Sequence, residues 1–81
     1  MKSKEKTSVP QEAQLKRVGE KLKALRIAKG HTSYEYFAFE NNINRAQYGR
    51  YERGQNMNIL TLIRILEIHG LTLEVFFSTD K

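Results

Sequence analysis

Three arginines within nine residues carry the chemistry that this sequence most clearly offers. Arg45, Arg50 and Arg53 lie in the segment NRAQYGRYERG. A guanidinium is a planar fork of donors, and the O6 and N7 acceptors of guanine in the major groove of DNA match that fork. No cysteine occurs in the 81 residues, which excludes disulfides, thiolate zinc sites and thiol nucleophiles among them. These residue types indicate recognition of a polyanion.

The charge of the chain is basic and unevenly distributed. The net charge is +5 and the isoelectric point about 9.7, in the range expected of a nucleic-acid-binding domain. Residues 21–31 contain four cations and no acid, whereas residues 57–81 carry a net charge of −1. A bipolar molecule of this kind can turn its basic side toward a polyanion. The alternative is that scattered lysines only keep a small domain soluble.

The spacing of the apolar residues predicts helices. Apolar residues in QLKRVGEKLKAL recur at spacings of 3, 4 and 3, which places them on one face of a helix. The predicted helices span 12–29, 33–41, 45–53 and 59–69, followed by the short helix LEVFF that ends near Ser78. The predicted organisation is a flexible basic arm at 1–11, one all-α domain of five helices at 12–78 and a tail at 79–81.

Polar residues at the predicted helix starts indicate where the helices begin. Thr32, with Glu35 three residues later, matches a capping box, and Asn44 and Asn58 are suitable caps for the third and fourth helices. Asn42 can adopt the left-handed conformation that a tight turn requires. Two short helices joined by a tight turn, the second bearing arginines, have the layout of a helix-turn-helix.

Over residues 18–77 the sequence resembles the phage-repressor-like helix-turn-helix family, which includes lambda repressor and Cro and is often called XRE. The motifs that carry the resemblance are Arg26 late in helix 1, Phe37-Ala38 in helix 2, Asn42-Ile43 at the turn, the polar helix from Asn44 to Tyr51, and Glu52-Arg53-Gly54. The trailing NILTLIRILEIHGLTLEVFF is similar to the last two helices of the family. The resemblance implies a five-helix lambda-repressor-like DNA-binding domain.

A helical wheel of the third predicted helix separates two sides. Tyr48 and Tyr51 fall toward the core, where Phe37, Ala38, Ile43 and Leu62 are expected. The predicted base-contacting residues, on the other side, are Arg45, Ala46, Gly49 and Arg50. A bidentate arginine–guanine pair contributes about 1–3 kcal/mol of base discrimination, and an alanine can meet a thymine methyl group.

Two positions depart from the family pattern in the region expected to contact DNA. Gly49 replaces a residue that is usually larger, although glycine inside a helix costs roughly 1 kcal/mol relative to alanine. It either lets the backbone approach DNA closely or makes room for a tyrosine ring. Ser33-Tyr34 replaces a glutamine that touches phosphate, and the spacing from Gly30 to Phe37 is one residue longer than the family pattern.

Polar residues around the third helix are expected to contact phosphates, which position a protein on DNA without carrying sequence information. The predicted phosphate-contacting residues are Ser33, Tyr34, Asn44, Gln47, Arg53, Gln55 and Asn56. For Arg53 and Gln55 the alternative is simple solvated surface. The arm lysines, Lys2, Lys4 and Lys6, either add an electrostatic contact or contribute nothing.

The resemblance implies a partly buried ion pair between Arg26 and Glu52, which would join helix 1 to the end of helix 3. Arg26 would then be structural and would not contact DNA. We expect that removing it destabilises the fold, because Glu52 would be left unpaired.

A dimer interface is predicted at Leu71, Leu73, Phe76 and Phe77. Phe76 and Phe77 are adjacent, so a short helix cannot bury both on one face. One is expected to pack in the core, and the other to form an exposed apolar patch suited to a second copy. The alternative is that the C-terminal tail covers that patch. A two-fold dimer would present two recognition helices roughly 34 Å apart on an inverted repeat.

The expected function is that of a sequence-specific DNA-binding transcriptional regulator, with repression by operator occupancy as the favoured mode. Its expected partners are double-stranded DNA and a second copy of the chain. One alternative is an antitoxin that also binds a toxin-like protein. Another is a protein-interaction module whose helix-turn-helix has lost DNA binding. An RNA-binding role is less favoured, because the aromatic residues are expected in the core and not as exposed stacking surfaces.

No pattern in the sequence indicates an enzyme, a metal site or a cofactor. His31 and His69 lack a neighbouring carboxylate cluster, and the sequence contains no Gly-rich phosphate loop. No apolar run approaches the roughly 20 residues of a membrane span, and the N-terminus has no apolar signal segment. We therefore expect a cytoplasmic protein that has no membrane partner.

Overall fold

The computed structural model describes residues 9–78, and these form helices without any strand. The helices are α1 (Gln11–Ala28), α2 (Tyr34–Glu40), α3 (Arg45–Glu52), α4 (Ile59–Ile68) and α5 (Leu73–Ser78). The predicted all-α fold of five helices is confirmed within this range. Most of the predicted arm, with its three lysines, and the tail at 79–81 lie outside the described residues. None of the helices in the described range has the length and apolar character needed to cross a membrane.

Short polar side chains set the starts of four helices. The side-chain oxygens of Asn44 and Asn58 accept hydrogen bonds from the N–H groups three residues on, at 2.9 and 3.2 Å, so both predicted caps are present. Thr72, which the sequence also predicts as the cap of the short fifth helix, caps α5 in the same way at 3.2 Å. The prediction of Thr32 as the cap of α2 is wrong. Ser33 takes that position, because it has the extended backbone of a cap and α2 begins one residue later than expected.

The turn between α2 and α3 depends on Asn42, whose φ of 59° is the left-handed conformation predicted for it. The Ile43 N–H then donates to the Ala38 carbonyl at 2.9 Å, and the Asn41 side-chain amide donates to the Phe37 carbonyl at 2.8 Å. These bonds satisfy the last carbonyls of α2 and fix the direction in which α3 leaves the turn.

The core is built around the ring of Phe37. The rings of Tyr48, His31 and His69 lie with their centroids 5.3, 5.4 and 5.5 Å from that of Phe37. The buried apolar residues are Leu22, Phe37, Ala38, Tyr48, Tyr51, Leu62, Ile65, Leu66 and Phe76. Helices α2, α3 and α4 each supply at least two of these residues, and α1 and α5 supply one each. A single core therefore connects all five helices.

The sequence predicts an apolar face on α4 made of Ile59, Leu62, Ile63 and Leu66, and this prediction is only partly correct. Leu62 and Leu66 are buried as expected, but Ile59 is 59% exposed and Ile65 is fully buried in its place. Ile65 lies three residues after Leu62 and shares its face. Ile59 lies three residues before Leu62, but it is the first residue of the helix and remains largely exposed.

Helices α1 and α3 are so close at Gly19 that no side chain fits between their backbones. A Cβ atom at Gly19 would lie 2.5 Å from the carbonyl oxygen of Tyr51 and 2.6 Å from that of Glu52. Any larger residue at position 19 would force the backbones apart. The glycine therefore allows α1 to support α3 directly along its last turn.

Candidate nucleic-acid interface

Two buried tyrosines hold α3 in a fixed rotation. Tyr48 is completely buried and Tyr51 nearly so, as predicted. Burial and the nearby Glu52 carboxylate raise the pKa of Tyr48, which keeps its phenol neutral over the physiological range. Because these rings face the core, the opposite side of α3 must face solvent.

The solvent-facing side of α3 carries three of the four residues predicted to contact bases. Arg45, Ala46 and Arg50 are exposed, and Arg53 follows them at the end of the helix, also exposed. Among the described residues, no acidic side chain forms an ion pair with any of these arginines. The surface therefore presents unpaired guanidinium groups around one small apolar residue, which suits base edges in a groove.

The prediction that the Gly49 backbone contacts bases is wrong in this structure. Gly49 is buried although it lies on the polar side of α3, because the ring of Tyr34 covers it. A Cβ atom at position 49 would lie 2.7 Å from Tyr34 Cε1 and 3.2 Å from its hydroxyl oxygen. The alternative, that Gly49 makes room for a tyrosine ring, matches this geometry, and the tyrosine comes from α2.

The residues predicted to contact phosphate surround α3 but are not all equally accessible. Ser33, Asn44, Arg53, Gln55 and Asn56 are exposed, whereas Gln47 and Tyr34 are partly buried. Ser33 and Asn44 already accept hydrogen bonds as helix caps. The Ser33 hydroxyl hydrogen and the Asn44 side-chain NH₂ group remain available to donate hydrogen bonds to a phosphate oxygen.

Two surface features beside these residues were missed by the sequence analysis. The exposed Arg64 of α4 lines a cleft together with Asn44 and Gln47. Phe39 is 68% exposed and lies with Tyr36 beside Arg45. Neither could be assigned from spacing, because each depends on how one helix packs against another.

Arg26 and Glu52 form a buried bidentate ion pair between α1 and the end of α3. Arg26 Nε donates to Glu52 Oε2 at 2.8 Å, and its Nη2 donates to Oε1 at 2.9 Å. Nη1 donates to the His31 carbonyl at 2.8 Å, which also ties the loop before α2 to this pair. Hydrogen bonding to the Glu52 carboxylate raises the pKa of Arg26 despite its burial. Arg26 is 4% exposed and spends three donors on these internal bonds, so it connects α1, the loop before α2 and the end of α3.

Both histidines pack against the ring of the core phenylalanine, Phe37. The His69 ring stacks on Phe37 at an interplanar angle of 11°, and the His31 ring meets Phe37 edge-on at 67°. Burial, with smaller contributions from Lys29 and His31, lowers the pKa of His69 below its ordinary value. Both rings therefore pack against the core, and the neutral form of His69 is favoured in the fold.

The predicted dimer residues separate into a buried and an exposed group. Phe76 is 1% exposed and belongs to the core, so its assignment to a dimer interface is wrong. The Lys21 ammonium group hydrogen-bonds to the Phe76 carbonyl and lies 4.5 Å from the centroid of its ring, which fixes α5 on α1. Phe77 is half exposed, and Leu71 and Leu73 are partly buried against the core.

Comparison with known proteins finds matches over the part of the chain that contains α2, the tight turn and α3. The profile of a family described as helix-turn-helix matches residues 22–76. The chain is also similar to the control protein C.MunI of a Mycoplasma species, with 38% identity over 63 residues, or 76% of this chain and 85% of that protein. No solved structure is a significant match.

Proposed function

Because the chain belongs to the phage-repressor-like helix-turn-helix family and is a DNA-binding transcriptional regulator, we propose that α3 enters the major groove. Arg45, Ala46 and Arg50 contact base edges there. The observation that carries this proposal is the rotation of α3, whose tyrosines face inward while its arginines are exposed and unpaired. The arginines favour guanine, and Ala46 suits a thymine methyl group.

The polar residues that flank α3 bind the phosphate backbone on either side of the groove. They are Ser33, Asn44, Gln47, Arg53, Gln55 and Asn56. Supporting this role, the start of α3 offers unpaired backbone N–H groups and the favourable end of the helix dipole beside Asn44. The exposed Arg64, in the same cleft as Asn44 and Gln47, adds a cation within reach of that backbone.

The chain acts as a dimer and represses transcription by occupying its operator. Phe77 and the partly buried Leu73, one turn apart on the same side of α5, provide an apolar surface for a second copy. A two-fold axis at this surface would give two recognition helices roughly 34 Å apart, so the operator would be an inverted repeat. Occupancy of a site that overlaps a promoter blocks polymerase without a further domain.

Selection of bound sequences from a random double-stranded DNA pool tests the base-contacting surface. We expect an enriched palindrome that contains guanines. Arg50→Ala should relax preference at one or two positions of each half-site, whereas Lys23→Ala, which removes an exposed cation from α1, should leave the preferences unchanged. An equal loss of affinity across all sequences for Arg50→Ala would make Arg50 a phosphate contact.

Salt titration separates this function from a protein-interaction module. The affinity for the selected DNA should fall steeply with salt, with log K against log salt having a slope of about −0.9 for each phosphate contacted. A flat salt response, or no enriched motif, would contradict the proposal. A promoter that carries the selected site, joined to a reporter, then gives the sign of regulation, and activation by the bound protein would contradict repression.

The dimer is tested by placing a charge on its proposed surface. Phe77→Glu should give a monomer in analytical ultracentrifugation and should bind the palindrome with the affinity of a half-site. Ile27→Glu, which puts the same charge at a half-exposed apolar residue of α1, is the matched control and should remain dimeric. A dimer that survives Phe77→Glu would place the interface elsewhere.

A further inference from the structure

The ring of Tyr34 occupies the space above Gly49 on the DNA-facing side of α3. The nearest atoms to a Cβ at position 49 are Cε1, Cζ and the hydroxyl oxygen of Tyr34, at 2.7, 3.0 and 3.2 Å. The contact is therefore made by the outer end of the phenol and not by the inner ring atoms. A side chain from α2 thus fills the place of the side chain that α3 lacks.

Position 49 lies in the middle of the surface proposed to contact bases. It is one turn after Arg45 and Ala46 and next to Arg50, so a group above it is surrounded by these three exposed residues. Tyr34 is only partly buried, and within the described part of the chain its hydroxyl makes no hydrogen bond. A phenol hydroxyl both donates and accepts, so it can bond to an acceptor or a donor on a base edge.

We propose that Tyr34 contacts a base edge in the major groove and determines specificity at one base pair, in place of a residue-49 side chain. The proposal rests on the proposed function, because it requires α3 to enter the groove. If the neighbouring arginines and Ala46 meet base edges, the hydroxyl above Gly49 lies at a similar depth. The recognition surface is then made by α2 and α3 together, with Gly49 as the residue that allows the phenol to reach it.

The experiment compares the sequences selected by the wild-type protein, Tyr34→Phe and Tyr48→Phe. Tyr34→Phe keeps the ring over Gly49 and removes only the hydroxyl, so the fold and the other contacts should persist. It should lose roughly two- to tenfold discrimination at one base pair of each half-site, the range of a single neutral hydrogen bond. Tyr48→Phe makes the same chemical change at a completely buried hydroxyl that cannot reach DNA, and it should leave every base preference unchanged.

Gly49→Ala supplies an independent test from the α3 side. Its Cβ would displace the end of the Tyr34 ring without altering Arg45, Ala46 or Arg50. It should therefore change preference at the same base pair as Tyr34→Phe. A change at a different base pair would overturn the proposal.

The outcomes separate this proposal from the proposed function. If the wild-type protein selects no motif, both are overturned. If it selects a guanine-containing palindrome and Tyr34→Phe selects the same motif with the same preferences, only the role of Tyr34 is overturned. A uniform loss of affinity for Tyr34→Phe would also overturn it, since that result is expected of a phosphate contact.

Discussion

Removal of Arg26 should be among the most destabilising single changes to this protein. In Arg26→Ala the Glu52 carboxylate keeps its buried position but loses both hydrogen bonds, and the His31 carbonyl loses a third. The two side chains are only 4% and 7% exposed, so water does not readily replace the guanidinium. Breaking such a pair by removing one partner costs about 3–5 kcal/mol.

The size of this loss can be compared with the total stability of the domain. At roughly 0.05–0.15 kcal/mol per residue, the free energy of unfolding of a domain of this size is about 4–12 kcal/mol. A loss of 1 kcal/mol lowers the Tm of such a domain by about 4–8 °C. Arg26→Ala should therefore lower the Tm by at least about 12 °C, and if the wild-type stability is near the lower end of that range, about 4 kcal/mol, it leaves a large fraction of the protein unfolded.

A double-mutant cycle measured by urea denaturation tests the physical reason for the loss. Arg26→Met combined with Glu52→Leu removes both charges, so no unpaired charge remains in the interior. The double variant should recover much of the stability lost in Arg26→Met alone and should fold even if that single variant does not. Its recovery would show that the cost comes from the uncompensated carboxylate.

Two results would refute this reasoning. One is an Arg26→Ala protein that melts near the wild-type temperature but no longer binds DNA, which would make Arg26 a DNA contact. The other is additive effects of the two substitutions, since residues that share an ion pair should show a coupling free energy of about 0.5–3 kcal/mol.

Three further predictions follow from the same structure. Gly49→Ala should raise the free energy of unfolding by up to about 1 kcal/mol in urea denaturation, because alanine favours the helix and only the mobile end of Tyr34 must move; a loss would show that the ring contact stabilises α3. Asn44→Ala and Asn58→Ala should each cost about 1 kcal/mol as lost caps, but only the first should weaken DNA binding in a gel-shift titration at a temperature where both are folded. Because folding lowers the pKa of His69, the neutral form is favoured in the fold, so stability should be complete above the unfolded value of 6.5 and should fall as the pH drops below it. The wild-type Tm should therefore be lower at pH 5 than at pH 8, and His69→Gln should reduce this difference. If the difference is unchanged in His69→Gln, other titrating groups cause it.

The helices and most of their caps could be predicted because they depend on local sequence. Asn44, Asn58 and Thr72 each bond to a backbone N–H three residues on, and no distant residue takes part. The error at α2 was small, since Thr32 and Ser33 are adjacent residues that can both cap a helix. The local sequence does not favour either residue as the cap. The choice depends on where α2 begins, at Tyr34.

The faces of α4 and α5 could be predicted only in part. The sequence ILTLIRILEI is apolar on more than one side, so its period allows several core faces and does not select Ile65 over Ile59. In α5 the adjacency of two phenylalanines indicated that only one is buried. The choice of Phe76 depends on the packing of α5 against α1, where Lys21 bonds to its carbonyl and lies over its ring.

Gly49 shows why a site can be assigned to the correct face and still be incorrect. The helical wheel placed it beside Arg45 and Arg50, and by angle that is where it lies. A wheel describes one helix, however, and the ring that covers Gly49 belongs to another. The separation of Tyr34 from Gly49 is set by the tight turn at Asn42, which fixes α2 against α3. If the phenol contacts a base, the left-handed conformation of Asn42 positions that contact as well as the arginines. A substitution at Asn42 that leaves the domain folded should then alter specificity at the base pair assigned to Tyr34.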